Sequence, residues 1–477
     1  MRQAVAAGKT AAASVAGAPR MGLEALQREA LVPASLGDPN ALRFWTAVTL
    51  TGVAAGLGAA ALTALLEQVQ GLAWGVSEPS ALIEAARRVG PSRHILLLLS
   101  AGLLTALGQW LLTRLASGNG IDITAAIWFQ AGHLPKLRTL GSAALSIVIV
   151  GIGAALGREG APKQVGAVFG DLASDLGRLS DEQRRLLVAI GAGAGMAAVY
   201  SVPLGGALFA LEVLRGKLTL RLVLPALAAT MIATSVATIV IPNAPIYATP
   251  PYTVGFGDYA FAALAAPVVG LWSVGFVRLI AWADRVRPTD WRRLVAPPLV
   301  FLAVGVVSMP FPEVLGNGQD VAQAMFRQPP ASLALLILLP LRPLCTVGSV
   351  ASGAPGGLFT PSLAAGALMG GALGVLWLRI APAADPGLCA ILGAGAMLAA
   401  TTQGPISSLV LMMELTGQAR LFALPMLIAI VVATATARSI ETRSIYEARL
   451  TDAEVGERLR AREVGAASAL PVPPPQS

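Results

Sequence analysis

The sequence predicts an all-α integral membrane protein of many short, tilted and broken helices, and three observations carry that prediction. Charged residues make up 13% of the 477-residue chain and hydrophobic ones 55%, with a mean hydropathy of +0.70. A soluble globular protein carries about a quarter charged residues. Apolar stretches recur from Ala41 to Ala437, some long enough to cross a bilayer core of about 30 Å and others too short. The 51 glycines and 33 prolines are a third sign, because both are frequent in membrane helices that break or pack closely. Together these exclude a disordered chain, an ordinary soluble enzyme and most nucleic-acid binders.

Residues 1–40 are Ala/Gly-rich without the apolar core of a signal peptide, and read as a cytosolic leader with a short interfacial helix around Gly22–Leu31. Ala41–Leu66, ending near Glu67, predicts the first span, and Ile95–Leu115 the next. Shorter or interrupted stretches follow at Leu140–Leu156, Leu186–Val199, Leu204–Leu214, Leu222–Ile241, Phe261–Ile280 and Leu299–Val307. The last are Leu333–Val350, Leu358–Leu378, Leu388–Ala400, Ile406–Leu415 and Leu421–Ala437. Short, broken helices are tolerated at membrane depth only where protein buries them or where they line a polar pathway. That favours a transporter or channel over a receptor or a simple anchor. Residues 446–477 turn polar and end Pro-rich, too short for another folded domain.

The 34 basic and 26 acidic residues leave a net charge of +8. The arginines cluster at the two ends and in short loops, among them Arg20, Arg28, Arg184, Arg185, Arg292, Arg293, Arg438 and Arg443. This reads as positive-inside topology with both termini cytosolic, rather than as a nucleic-acid surface. Cys345 and Cys389 fall in apolar stretches and read as buried packing residues.

An internal repeat strengthens the transporter reading. Gly191-Ala-Gly-Ala194 matches Gly393-Ala-Gly-Ala396, and at the same offset Pro203 matches Pro405 and Glu212 matches Glu414. Upstream, Gly157, Gly166 and Gly170 pair with Gly357, Gly366 and Gly370. Repeats of this kind mark transporters whose binding site lies at the repeat interface near the midplane.

Three Gly-punctuated turns precede apolar helices: Ser117–Ile121, Gly157-Arg158-Glu159-Gly160, and Gly353 to Pro361. Any one alone reads as ordinary helix-packing glycine. Three helix N-termini aimed at one point would instead bind an anion through unpaired N–H groups and the positive end of the helix dipole. Glu159 sharpens this, because a carboxylate in an apolar region costs roughly 2.5–3.5 kcal/mol and needs a partner or a function. Arg158 is the adjacent candidate partner. A carboxylate at a helix N-terminus is also an anion where an anion should bind, so a mobile Glu159 would compete with a permeating anion and take up a proton when displaced.

Gly157-Arg-Glu-Gly160, Gly356-Gly-Leu-Phe-Thr-Pro361, the Gly-x-Gly-Ile turn at 118–121 and Tyr446 together make the sequence resemble the CLC chloride channels and chloride/proton antiporters. The resemblance runs from about residue 40 to 455. It implies a CLC-type fold over 41–445, with inverted repeats at roughly 41–240 and 260–445, and a homodimer with one anion pathway per subunit. It implies no cofactor and no metal. Glu159 would be the gating glutamate that accepts protons. The anion would be bound by Asn119, Gly120, Arg158, Gly160, Leu358, Phe359 and the hydroxyl of Tyr446. Without the resemblance, Tyr446 would read as an interfacial anchor.

The chain departs from that pattern at several positions. Asn119 stands for the usual serine, a position where the family tunes anion choice and where fluoride exporters also differ. Asp122 and Ala161 stand for prolines, with Pro162 following. Lys163 occupies a usually apolar site, either as a snorkelling lysine or as a cation that concentrates anions or pairs with Glu159. Val213 follows Glu212 where antiporters place a proton-relaying glutamate, and an apolar side chain carries no proton. Glu212 and its repeat mate Glu414 read together as an architectural bond, such as one to backbone amides.

Two functions remain. One is passive or weakly proton-coupled chloride transport gated by Glu159. The other is proton-coupled anion exchange, with fluoride the sharpest variant because of Asn119 and Val213. A membrane enzyme would need a metal cluster or a nucleophile–base pair, and the two histidines, His94 and His133, offer little for either. The absence of a P-loop argues against ATP-driven pumping, and the short tail argues against cytosolic nucleotide-binding (CBS) modules. Residue usage suggests a bacterial cell membrane.

Overall fold

The computed structural model describes residues 32–33, 37–38, 40–76, 81–115, 122–330, 333–418, 421–447, 450 and 453–456. The helix expected around Gly22–Leu31, the turn bearing Asn119 and Gly120, and most of the tail lie outside them. The described residues are helical without a strand, and their one isolated bridge joins Gly157 to Gly357 in antiparallel sense.

The first half runs α1 (Ala41–Trp74), α2 (Leu82–Arg88), α3 (Pro91–Leu115), α4 (Ile123–Phe129), α5 (Lys136–Ile152), α6 (Gly160–Gly177) and α7 (Asp181–Tyr200). It continues with α8 (Pro203–Phe209), which passes into a π-turn at Ala210–Arg215, and α9 (Leu220–Ala237). The second half runs α10 (Phe256–Arg285), α11 (Arg292–Ser308), α12 (Gln319–Arg327), α13 (Leu333–Ala351) and α14 (Phe359–Trp377). It closes with α15 (Pro386–Thr402), α16 (Pro405–Thr416) and α17 (Ala423–Arg438). Among the described residues α1, α3, α9, α10, α13 and α14 are long and apolar enough to cross a membrane. Of these, α3 turns most of its surface outward, while α14 is almost wholly enclosed by protein.

Two expected boundaries shift. The first span does not end near Glu67 but continues to Trp74, where Gly75 at φ +76 donates its N–H to Gly71 and stops the helix. Glutamate is a good helix former, so it ends an apolar run without ending the helix. Helix α6 was not legible as a span, because Lys163, Asp171 and Asp175 dilute its hydropathy. Its acidic end is clipped instead by ion pairs: Arg184 lies 2.6 Å from Asp175 and also pairs with Asp171, and Lys136 lies 2.6 Å from Asp175. That clip ties the starts of α5 and α7 to the end of α6. Cys345 and Cys389 are free and buried.

The repeated residues meet each other. α6 packs on α7 in the first half and α14 on α15 in the second. Small residues allow both approaches: a Cβ on Gly166 would lie 1.9 Å from the Gly191 carbonyl, and one on Gly366 would lie 2.6 Å from the Gly393 carbonyl. Gly157 and Gly357 exchange two backbone bonds of 2.8 Å. Glu212 accepts from the N–H groups of Ile406 (3.1 Å) and Ser407 (2.6 Å) at the start of α16. Glu414 accepts from Leu204 (3.1 Å) and Gly205 (2.7 Å) at the start of α8. Each short helix thus ends in a carboxylate that satisfies the orphan donors of the other, in a reciprocal arrangement with local two-fold symmetry. Glu414→Ala is expected to destabilise the fold by about 1–3 kcal/mol by stranding two donors, and Glu212→Ala by a similar amount. Thermal unfolding in detergent checks this, with unchanged midpoints counting against the capping role.

Candidate functional site

Two helix starts meet at the Gly157–Gly357 bridge, those of α6 and α14. Glycines on each side let backbone approach backbone: a Cβ on Gly160 would lie 2.7 Å from the Gly357 nitrogen. Glu159 immediately precedes α6, fully buried, and its side chain crosses to the other turn. Oε1 accepts the backbone N–H of Phe359, the first residue of α14, at 2.7 Å. Oε2 lies 3.1 Å from the Thr360 hydroxyl and 3.3 Å from the Tyr200 hydroxyl.

The carboxylate has no room to spare. A Cβ on Gly157 would meet Oε2 at 2.2 Å, and one on Gly357 would meet Oε1 at 2.0 Å. The two glycines therefore form the walls of a cradle sized for a small anionic group. A negative charge there sits at the positive end of α14, on an N–H that the helix itself cannot satisfy.

Arg158 does not pair with Glu159. Consecutive side chains at a helix start diverge, and the Arg158 guanidinium stands 5.2 Å over the Tyr200 ring instead. Arg158 is 4% exposed and its Nε lacks a hydrogen-bond partner. A buried cation next to an anion cradle raises the local potential for anions.

Next to the cradle lies a cavity of about 700 Å³ whose walls include Gly160, Lys163, Gly357, Leu358 and Tyr446. Glu159, fully buried, is not part of its lining. Leu358 is the cap residue immediately before α14, and its side chain is buried. Tyr446 sits in a turn that is anchored from both sides: Ile445 donates to the Thr401 carbonyl at 2.8 Å, and Ser444 donates to Glu447 at 2.7 Å. Its ring packs edge-on against Phe209 at 5.5 Å.

Lys163, one turn into α6, does not snorkel to the surface. It is 6% exposed, its Nζ lies 3.3 Å from the Tyr446 hydroxyl, and the ammonium stands 4.6 Å over the Tyr446 ring and 5.3 Å over that of Phe209. The ring faces carry partial negative charge and hold the cation in place. Asp122 also lines the cavity, but its carboxylate is turned into the N-cap of α4, accepting from Thr124 N–H at 2.8 Å. Its charge is thus partly neutralised by a helix start rather than presented bare to an anion. Val213 lies buried in the π-turn with its side chain against Gly404.

Tyr200 and Thr360 are the residues that pattern reading missed. Thr360 was visible within the Gly356–Pro361 motif, and Tyr200 as a lone phenol ending an apolar helix. Nothing local showed that their hydroxyls converge on Glu159. His94 is a core residue, bonded to Ser308 at 2.8 Å and to the Ala86 carbonyl at 2.9 Å.

Residues 101–438 match the family model of the voltage-gated chloride channel. A putative chloride channel protein ClcB-like from Ralstonia nicotianae is 31% identical over 412 residues, covering 83% of this chain and 94% of the relative. The voltage-gated ClC-type chloride channel ClcB of Salmonella typhi is likewise 31% identical, covering 83% and 96%. Among solved structures, a slow cyanobacterial Cl−/H+ antiporter superposes with a TM-score of 0.73 at 24% identity, covering 88% of this chain and 99% of its own. A CLC-type fluoride/proton antiporter reaches 0.67 at 22% identity, covering 85% and 98%. These two likenesses establish the fold.

Proposed function

The chain belongs to the voltage-gated chloride channel (CLC) family of membrane proteins, and from that premise we propose that it carries small anions, chloride first, past a gate formed by Glu159. The observation that carries this reading is the Glu159 carboxylate seated on the Phe359 N–H between Gly157 and Gly357. It occupies the place an anion would take and so closes the path. Protonation removes its charge, and with it the attraction to the start of α14, so the side chain swings out and the anion enters.

The anion approaches from the cavity, meeting the Tyr446 hydroxyl and the Lys163 ammonium, and then the amides at Leu358 and Phe359. Gly160 supplies the close backbone approach, and Arg158 raises the potential around the cradle. Asn119 and Gly120, outside the described residues, would also bind the anion, as the family resemblance implies. The site would lie where two opposed halves, roughly 41–240 and 260–445, meet, and the reciprocal bonds of Gly157 with Gly357, of Glu212 with Ser407 and of Glu414 with Gly205 support that symmetry. Both termini lie in the cytosol and the protein works as a homodimer with one pathway per subunit. No step calls for a cofactor.

Val213 favours transport that is passive or weakly coupled, since the position carries no titratable group. The second reading, proton-coupled exchange with fluoride as cargo, is favoured by Asn119. Reconstituted liposomes decide between them. Chloride efflux should proceed without driving protons uphill, and chloride should pass faster than fluoride. Uphill proton movement driven by an anion gradient would establish the exchanger, and a fluoride preference would reassign the cargo.

A further inference from the structure

We propose that Tyr200 and Thr360 form a hydroxyl latch that holds the Glu159 carboxylate in the anion cradle and thereby sets how hard an anion must compete to enter. The proposal rests on the reading of Glu159 as the gate. The two carboxylate oxygens are held by different means. Oε1 takes the Phe359 backbone N–H, a donor that an incoming anion would use equally well. Oε2 faces two side-chain hydroxyls, Thr360 at 3.1 Å and Tyr200 at 3.3 Å, which are themselves 2.6 Å apart.

Each hydroxyl has one proton, so at most two of these three contacts are hydrogen bonds at a time. The short Tyr200–Thr360 distance favours a relay in which Tyr200 donates to Thr360 and Thr360 donates to Glu159. Donation along a chain polarises each member and strengthens the last bond, the one to the charge. All three oxygens are buried, so no water replaces a lost donor cheaply.

Tyr200 is placed for this by its surroundings. α7 stops directly after it, because Ser201 takes a left-handed backbone at φ 54. The ring lies 5.9 Å from that of Phe359, tilted by 30°, and carries the Arg158 guanidinium on its face. A bond from a neutral donor to a charged acceptor favours the seated carboxylate over the displaced one. The latch therefore lowers the fraction of molecules whose cradle is open, and apparent anion affinity falls by that fraction.

The test is chloride binding by titration calorimetry on the full-length protein in detergent at one fixed pH. Thr360→Ala should tighten apparent chloride binding by about tenfold, the effect of losing one bond to a charge, and Tyr200→Phe by a smaller factor of about threefold, because it removes the neutral bond that backs the relay. Thr360→Ser, which restores the hydroxyl, should bind as the parent does. In a Glu159→Ala background, where nothing is left to latch, both substitutions should have no effect. If Tyr200→Phe and Thr360→Ala bind like the parent while Glu159→Ala binds tighter, the latch is wrong and the gate stands. If the substitutions act equally in both backgrounds, the hydroxyls act on the anion or the fold and the latch is again wrong. If Glu159→Ala binds no tighter than the parent, the gate reading fails and takes the latch with it.

Discussion

Anion flux through Glu159→Ala is expected to lose its dependence on pH. On the proposed reading the seated carboxylate is the closed state of the parent, and acid would open it by neutralising the charge that binds the start of α14. Flux should therefore rise as pH falls. With alanine the cradle between Gly157 and Gly357 stands open at every pH, and flux should stay at its acid-limited level. Glu159→Gln should behave similarly, since a neutral amide imitates the protonated acid in charge and shape. Proteoliposome efflux measured across a pH series checks both. A profile in Glu159→Ala that still follows the parent's would remove this residue as the gate and move attention to other titratable groups around the path, Tyr446 and Lys163.

Lys163→Met is expected to weaken chloride binding tenfold or more, and to do so whether or not Glu159 is present. A unit charge about 4 Å from an anion contributes on the order of 4 kcal/mol at an effective dielectric of 20, part of which is offset by the cost of dehydrating the ammonium. Methionine keeps the length and packs against Phe209 and Tyr446 without the charge. The ammonium also donates toward the Tyr446 oxygen at 3.3 Å, which leaves the phenol proton free to point into the cavity. Its loss should loosen both ligands together. Calorimetry with chloride, in the parent and in Glu159→Ala, measures this. Equal affinities with lysine and methionine would make Lys163 a packing residue of the aromatic pair. This substitution lowers affinity where the latch variants raise it, so the two effects separate by sign.

Much of this was legible in the chain. The charge deficit and the broken apolar runs identify a membrane protein, because a bilayer filters sequences by composition and length. The Pro203/Glu212 and Pro405/Glu414 spacing pointed to matched elements, and Glu159 stood out through the energetic cost of a carboxylate in an apolar setting. Arg158 shows the limit of that reasoning. Adjacency in sequence suggested an ion pair, whereas the start of α6 splays the two side chains and sends Arg158 to the Tyr200 ring. Helix α6 was legible as the helix after Gly160 but not as a span, for a related reason. Hydropathy counts Lys163, Asp171 and Asp175 as polar, but cannot know that Tyr446 and Arg184 wait to receive them.

The sequence by itself determined the medium, the kind of helices and which carboxylate stands out, because those depend on composition, run length and the cost of burying charge, all of which are local. Only the tertiary structure decided what that carboxylate touches. Tyr200, Phe359 and Thr360 lie 41, 200 and 201 positions away in the chain. Spacing along a helix carries no information about side chains that meet only when two halves close on each other.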